Sequence, residues 1–185
     1  MSLVRLVFKQ VAEITSAKEV GLIILVDEDG SRQLSIIADK AMVFQLGLRQ
    51  SKVEIREKLL PEVLWQVITR NLDMRYQIVI NDLVDGQYKT LLYMPDILQA
   101  IPIRASDAVL LSLVSDIPIL IEENLLMRQG VPYKEGELGV PVPVNILSKE
   151  MIKKALDKAL EEEDYEKASE LRDELKRRGD KGVAL

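Results

Sequence analysis

The sequence predicts an α+β protein: a mixed β-sheet built from two hairpins with packed helices, followed by a C-terminal α-helical hairpin. Three observations carry that expectation. Two apolar or alternating segments are each folded back on a second by Asp/Gly turn chemistry. Helical periodicity fills the ground between them. Residues 148–178 are dense in Lys, Glu, Asp, Leu and Ala, which is helical composition. Of the 185 residues, 48% are hydrophobic and only 4% aromatic, so the core has to be built from Leu, Ile and Val.

Gly21–Val26 is a continuous apolar run, Asp27-Glu28-Asp29-Gly30 is a turn, and Arg32–Ile37 resumes the strand, which makes a β-hairpin. An amphipathic helix follows over Lys40–Gln50, with Met42, Val43 and Leu46 on its inner face. A second spans about Leu59–Arg70, where Leu60, Leu64, Val67 and Ile68 fall at helical spacing. Tyr76–Ile80 alternates, Asp85-Gly86 turns, and Gln87–Met94 alternates again with Tyr88, Thr90 and Leu92 on one face. Ile101–Ile103 is a short strand. Ser106-Asp107 opens an apolar helix through Ser115, Ile117–Ile121 is a buried strand, and Glu122–Gln129 is a helix closed by Gly130. This places an α+β domain over 1–135, a linker of alternating Val and Pro over 136–147, and the helical hairpin over 148–180.

Composition narrows the chemistry. There is no Cys and no His. That excludes disulfides, a Cys nucleophile, a His general base and any zinc site of the Cys/His type. Carboxylates, Lys, Arg, Ser/Thr or Tyr must carry any catalysis, and a bound metal would be a hard, oxygen-ligated ion such as magnesium or manganese. The formal charge is −5, from 25 Lys+Arg against 30 Asp+Glu, which gives no general electrostatic support for nucleic-acid binding. Residues 1–9 return to polar side chains too soon for a signal peptide, and the longest apolar runs fall short of the roughly 20 residues of a membrane span. The expectation is a cytoplasmic protein without membrane attachment.

Asp27-Glu28-Asp29-Gly30-Ser31 superficially resembles the start of a calcium loop. The twelfth position from Asp27 is Ala38 where a bidentate Glu is needed, so the hairpin turn is the better reading. No Walker loop, dinucleotide fingerprint or Ser-centred elbow is present. Arg104-Ala105-Ser106-Asp107-Ala108 is more specific, because it straddles a strand-to-helix junction. Ser106 suits the N-cap and Asp107 the positive end of the helix dipole. The same geometry, with free N–H groups, an Arg and a carboxylate, can hold a phosphate or a metal. Arg104, Ser106 and Asp107 are therefore the candidate catalytic set, with Asp107 the leading metal ligand and Arg104 the phosphate contact. Asp85 is a second candidate ligand and Asp82 a weaker one.

The order of these elements resembles the bifunctional nuclease family, also known as domain of unknown function 151. The likeness spans roughly residues 4–132. It rests on the strand end Leu34-Ser35-Ile36-Ile37, the second hairpin with its Asp-Gly turn, Arg104-Ala105-Ser106-Asp107-Ala108 before an apolar helix, Pro118-Ile119, and Glu122-Glu123-Asn124-Leu125 with Gly130. The family pattern has Pro where this chain has Ser35 and Ala105, and a His and Asp that are missing near residues 56–60. The resemblance implies metal-dependent DNase and RNase activity.

Residues 160–175 resemble the UVR motif, a helical hairpin found in subunits of the bacterial excision nuclease, with Ala168-Ser169 at its usual Ala-Ala pair. Ile152, Leu156 and Ala159 form one stripe, and Ala168, Leu171 and Leu175 the other, with Tyr165 capping the closed end. The resemblance makes Tyr165, Ala168, Leu171, Arg172 and Leu175 the candidate partner-binding residues. Lys149, Lys153, Lys154, Lys176, Arg177 and Arg178 gather at the open end, and Glu161–Asp164 with Glu166 at the turn. The hairpin is thus a bar of opposite charge at its two ends, suited to a protein partner or to a second copy, and a homo-oligomer is expected. Two functions follow: a metal-dependent nuclease carrying an interaction hairpin, or a non-catalytic oligomeric adaptor that recruits a partner through that hairpin.

Overall fold

The computed structural model describes residues 2–14, 19–51, 57–134 and 143–180. The chain divides into two compact units, Met1–Asp82 with Tyr88–Val140, and Leu83–Gln87 with Pro141–Leu185. Strands β1 (Leu3–Glu13), β2 (Val20–Asp27) and β3 (Arg32–Asp39) lead into helices α1 (Lys40–Gln50) and α2 (Leu60–Asn71). Then come β4 (Gln77–Val84), β5 (Gln87–Met94), β6 (Gln99–Arg104), α3 (Ala105–Ser115), β7 (Ile119–Glu122), α4 (Glu123–Gln129) and the short β8 (Val131–Pro132). They form one eight-stranded mixed sheet in the order β6-β5-β4-β7-β1-β2-β3-β8, with β4 and β7 parallel and the pairs β1–β2, β1–β7, β2–β3, β3–β8 and β5–β6 antiparallel. The α+β class and both hairpins are as the sequence predicts.

The core is aliphatic. In β2 the run Leu22–Val26 is buried on both faces, because the strand lies inside the sheet and is covered above and below. Leu34 and Ile36 of β3, Ile78 and Ile80 of β4, and Ile119 and Ile121 of β7 complete the layer, with Leu46 of α1 and Leu125 of α4 packed in. Gly21 allows α1 to approach: a Cβ there would lie 2.8 Å from a Val43 methyl and 2.9 Å from the Ala12 carbonyl oxygen. In the β2–β3 turn, the Asp27 carboxylate accepts the N–H groups of Ser31 (2.7 Å) and Arg32 (3.0 Å) and the Ser31 hydroxyl (2.6 Å). The hairpin reading of that acidic stretch holds.

Strand β1 has no counterpart in the sequence reading, yet it lies between β7 and β2. A bulge between Phe8 and Gln10 explains this. Leu6 and Phe8 share a face, but the extra residue shifts the next apolar contact to Val11, and the two-residue period is lost. Helix α2 is the other departure. The helix forms where the spacing of its apolar stripe predicts, but none of its residues is buried. Pro61, Glu62 and Trp65 are half-buried, and Leu60, Val63, Leu64, Val67 and Ile68 are exposed.

In the second unit, α5 (Lys149–Glu161) and α6 (Tyr165–Asp180) form the predicted helical hairpin. Its interior is Ile152, Ala159, Ala168 and Leu171, joined by Ala155, Leu156, Leu175 and by Val144 and Leu147 of the preceding segment. Buried Arg178 organises that segment, donating to the Val144, Asn145 and Leu147 carbonyls and to Glu174 Oε1. Residues 136–142 of the expected Val/Pro linker lie outside the described residues, whereas 144 and 147 pack on the hairpin. Tyr165 does not cap the closed end: it is 68% exposed, and the Asp164 carboxylate instead accepts the Lys167 N–H at 3.1 Å. Gly86 is required by the Asp85-Gly86 turn, where its φ is +79° and a Cβ would lie 2.5 Å from the Leu147 carbonyl oxygen. Among the described residues, no helix is long and apolar enough to cross a membrane.

Candidate functional site

Strand β6 ends at Arg104 and α3 begins at Ala105. The N-cap is therefore Arg104, not Ser106. Its backbone is extended and no side chain caps the helix. Ser106 falls one residue inside the first turn and is buried, so its hydroxyl is not presented at the helix end. This leaves the first N–H groups of α3 without a side-chain acceptor.

The Arg104 guanidinium is held by two carboxylates. Its Nε donates to Asp107 Oδ2 at 2.6 Å and its Nη2 to Asp107 Oδ1 at 3.1 Å, a bidentate pair. Its Nη1 lies 3.8 Å from Oδ2 of Asp39. Those hydrogen bonds first, then the charges of Asp107 and Asp39, raise the guanidinium pKa further. Asp39 itself is the N-cap of α1, with its Oδ1 accepting the Met42 N–H at 2.8 Å. The N-termini of α1 and α3 thus meet around one arginine. The corner is wet: the side chains of Arg104, Asp39 and Asp107 are 67%, 53% and 34% exposed.

Strand topology makes this meeting informative. β6 and β3 stand six places apart in the sheet, which in a flat sheet would separate them by roughly 29 Å at about 4.8 Å per strand. An arginine side chain spans far less, so the sheet is strongly curled. Helix α3 lies across the curl, packing on β3, β6 and β7 as well as on α1 and α2.

Asp85 belongs to the second unit, at φ +51°, with its Oδ1 3.6 Å from Lys149 Nζ. Among the described residues, no group of three or more acidic side chains gathers closely enough to hold a metal ion. At the corner itself, both Asp107 oxygens and one of Asp39 already accept hydrogen bonds, and a guanidinium occupies the space beside them. That donor set does not fit a resident magnesium or manganese ion, whose charge would be repelled by Arg104. In the hairpin, Ala168 and Leu171 are interior side chains and Leu175 packs beside them, so of the candidate partner-binding residues only Tyr165 and Arg172 offer exposed surface.

Two features of this part of the fold escaped the sequence reading. Asp39 went unnoticed although an Asp immediately before a helical run is an N-cap signal. Arg49 is buried on the same face of α1 as Met42 and Leu46, a spacing that marks it as inward-facing.

Comparison with known protein families matches residues 23–134 to the bifunctional nuclease domain and residues 149–177 to the UvrB/UvrC motif. No curated protein matches the chain.

Proposed function

The chain belongs to the bifunctional nuclease domain family, and from that premise we propose that it cleaves phosphodiester bonds of DNA or RNA at the Asp39–Arg104–Asp107 corner. The observation that carries this reading is the exposed guanidinium bracketed by two carboxylates where two helix N-termini meet. A phosphate replaces Asp107 as the partner of Arg104, and the uncapped N–H groups of α3 add hydrogen bonds to it. The carboxylate oxygens so released, or Asp39 Oδ2, then accept a proton from the water as its oxygen bonds to phosphorus, and the bond to the leaving sugar oxygen breaks with that oxygen taking a proton from solvent. Ser106 supports the first turn of α3. The reading assigns no step to a metal, and parallel assays with magnesium, manganese and a chelator define any requirement.

The test is hydrolysis of single-stranded DNA and RNA by the full chain. Arg104→Ala and Asp107→Asn should each lower the rate about 100-fold or more, the lower range for loss of a charge-stabilising contact or an acid–base group. Undiminished rates in both variants would remove this corner from the mechanism.

One observation favours the adaptor reading. Leu160 and Tyr165 are 51% and 68% exposed at the hairpin turn, among Glu161, Glu162, Glu163 and Asp164. An apolar tip ringed by carboxylates suits a partner protein with a basic rim. Under that reading Tyr165→Ser abolishes capture of a partner while nucleic-acid hydrolysis is absent from the parent chain.

A further inference from the structure

Helix α2 sits on its domain the wrong way round for an isolated chain. Pro61, Glu62 and Trp65 are its half-buried residues. Contact with the rest of the unit comes through packing on α3, the Arg49–Glu62 ion pair and an edge-on approach of Trp65 to Tyr76 at 5.6 Å. Leu60, Val63, Leu64, Val67 and Ile68 are 69%, 42%, 51%, 54% and 38% exposed. At about 100° per residue these five occupy an arc of roughly 140°, a continuous apolar face along the whole helix. A helix of 12 residues without a side-chain N-cap draws its stability from burying such a face.

We propose that this face is a homodimer interface, in which a second copy of the chain packs its own α2 antiparallel against it across a two-fold axis at Leu64. The pattern is self-complementary. Leu60 precedes Leu64 by four residues and Ile68 follows it by four, so an antiparallel copy sets Leu60 opposite the partner's Ile68 and brings the two Leu64 side chains together at the axis. That arrangement also opposes the two helix dipoles. None of the five side chains is charged, and the one carboxylate of the helix, Glu62, is already paired with Arg49. The face therefore selects a neutral apolar surface, which a second copy supplies.

The area fits as well. The five side chains expose about 400 Å² of apolar surface, in the range of the largest patch on a typical monomer. Pairing removes that area from both copies, and the neighbouring Arg70 and Asn71 bring the total to the ~1,000 Å² that marks a specific interface. A lipid surface is the weaker match. Residues 60–71 carry one basic residue, Arg70, where interfacial helices carry many.

The absence of cysteine makes the test direct. Sedimentation of the full chain should give twice the monomer mass, and Leu64→Glu with Val67→Glu should halve it. Both positions are exposed, so the fold tolerates the change. Leu64→Cys should oxidise to a covalent dimer under mild conditions, whereas Gln66→Cys on the other side of the helix should not. A wild-type monomer throughout the micromolar range would overturn the proposal, as would a mass unaltered in the double variant or equal cross-linking at 64 and 66. A monomer that pellets with phosphatidylcholine–phosphatidylglycerol vesicles would assign the face to lipid instead.

Discussion

Arg49 Nη2 lies 2.7 Å from Glu62 Oε2, with the two side chains only 1% and 14% exposed. This pair joins α1 to α2 and fixes which side of α2 faces the domain. Arg49 Nη1 also donates to the carbonyl and side-chain oxygens of Gln45, while its Nε is buried without a partner.

The two halves of the pair are not equivalent. Removing Glu62 strands a buried cation, whereas removing Arg49 leaves a carboxylate near enough to the surface to find water. Glu62→Ala should cost about 3 kcal/mol and Arg49→Met about 1 kcal/mol, with the double variant Arg49→Met/Glu62→Leu returning close to the parent. Urea unfolding of the four proteins measures this, and additive losses would refute the coupling.

Asp39 has two duties, one as N-cap of α1 and one beside Arg104. They separate by substitution. Asparagine caps as well as aspartate, so Asp39→Asn should leave stability within about 0.5 kcal/mol, while Asp39→Ala costs about 1 kcal/mol. Under the nuclease reading both variants lose rate equally. An Asn variant with parental activity would confine Asp39 to its structural duty.

Much of this fold was legible because its signals are local. The Asp27–Ser31 turn, the Asp85-Gly86 turn, the limits of α1 and the helical hairpin all follow from neighbouring residues. What was not legible depends on distant partners. The bulge at Phe8–Gln10 breaks the alternation of β1, and the strand is recognisable only by its pairing with β2 and β7. The stripe on α2 was visible, but not its outward direction, because that is set by its pairing with Arg49 of α1. Arg104 and Asp107 could be singled out at their junction, whereas Asp39 reaches them only through curling of the sheet.

The Tyr88 hydroxyl is buried without a hydrogen-bond partner, and burial pushes its pKa well above the usual phenol value. Its ring contributes to the core, but its oxygen has lost water for nothing in return. Tyr88→Phe should therefore be neutral or stabilising by about 1 kcal/mol, read as a rise in thermal midpoint. A destabilisation of similar size would reveal an acceptor for that hydroxyl.

Asp27 gives a pH dependence with a defined sign. Burial opposes its charge, but the Ser31 hydroxyl and the N–H groups of Arg32 and Ser31 outweigh that and hold its pKa below the ordinary carboxylate value. The folded state thus binds this proton less readily than the unfolded chain, whose value is about 3.9. Its contribution to stability is complete above that value and disappears as pH falls through the lower folded one. Asp27→Asn replaces a charged carboxylate that accepts three hydrogen bonds with a neutral amide of one oxygen, so it should lose about 1–2 kcal/mol at neutral pH. The gap between parent and variant should stay constant down to about pH 5 and narrow below about pH 4. Urea midpoints across that range provide the measurement. A gap that persists undiminished in acid would mean that the turn is held by shape and not by the carboxylate charge.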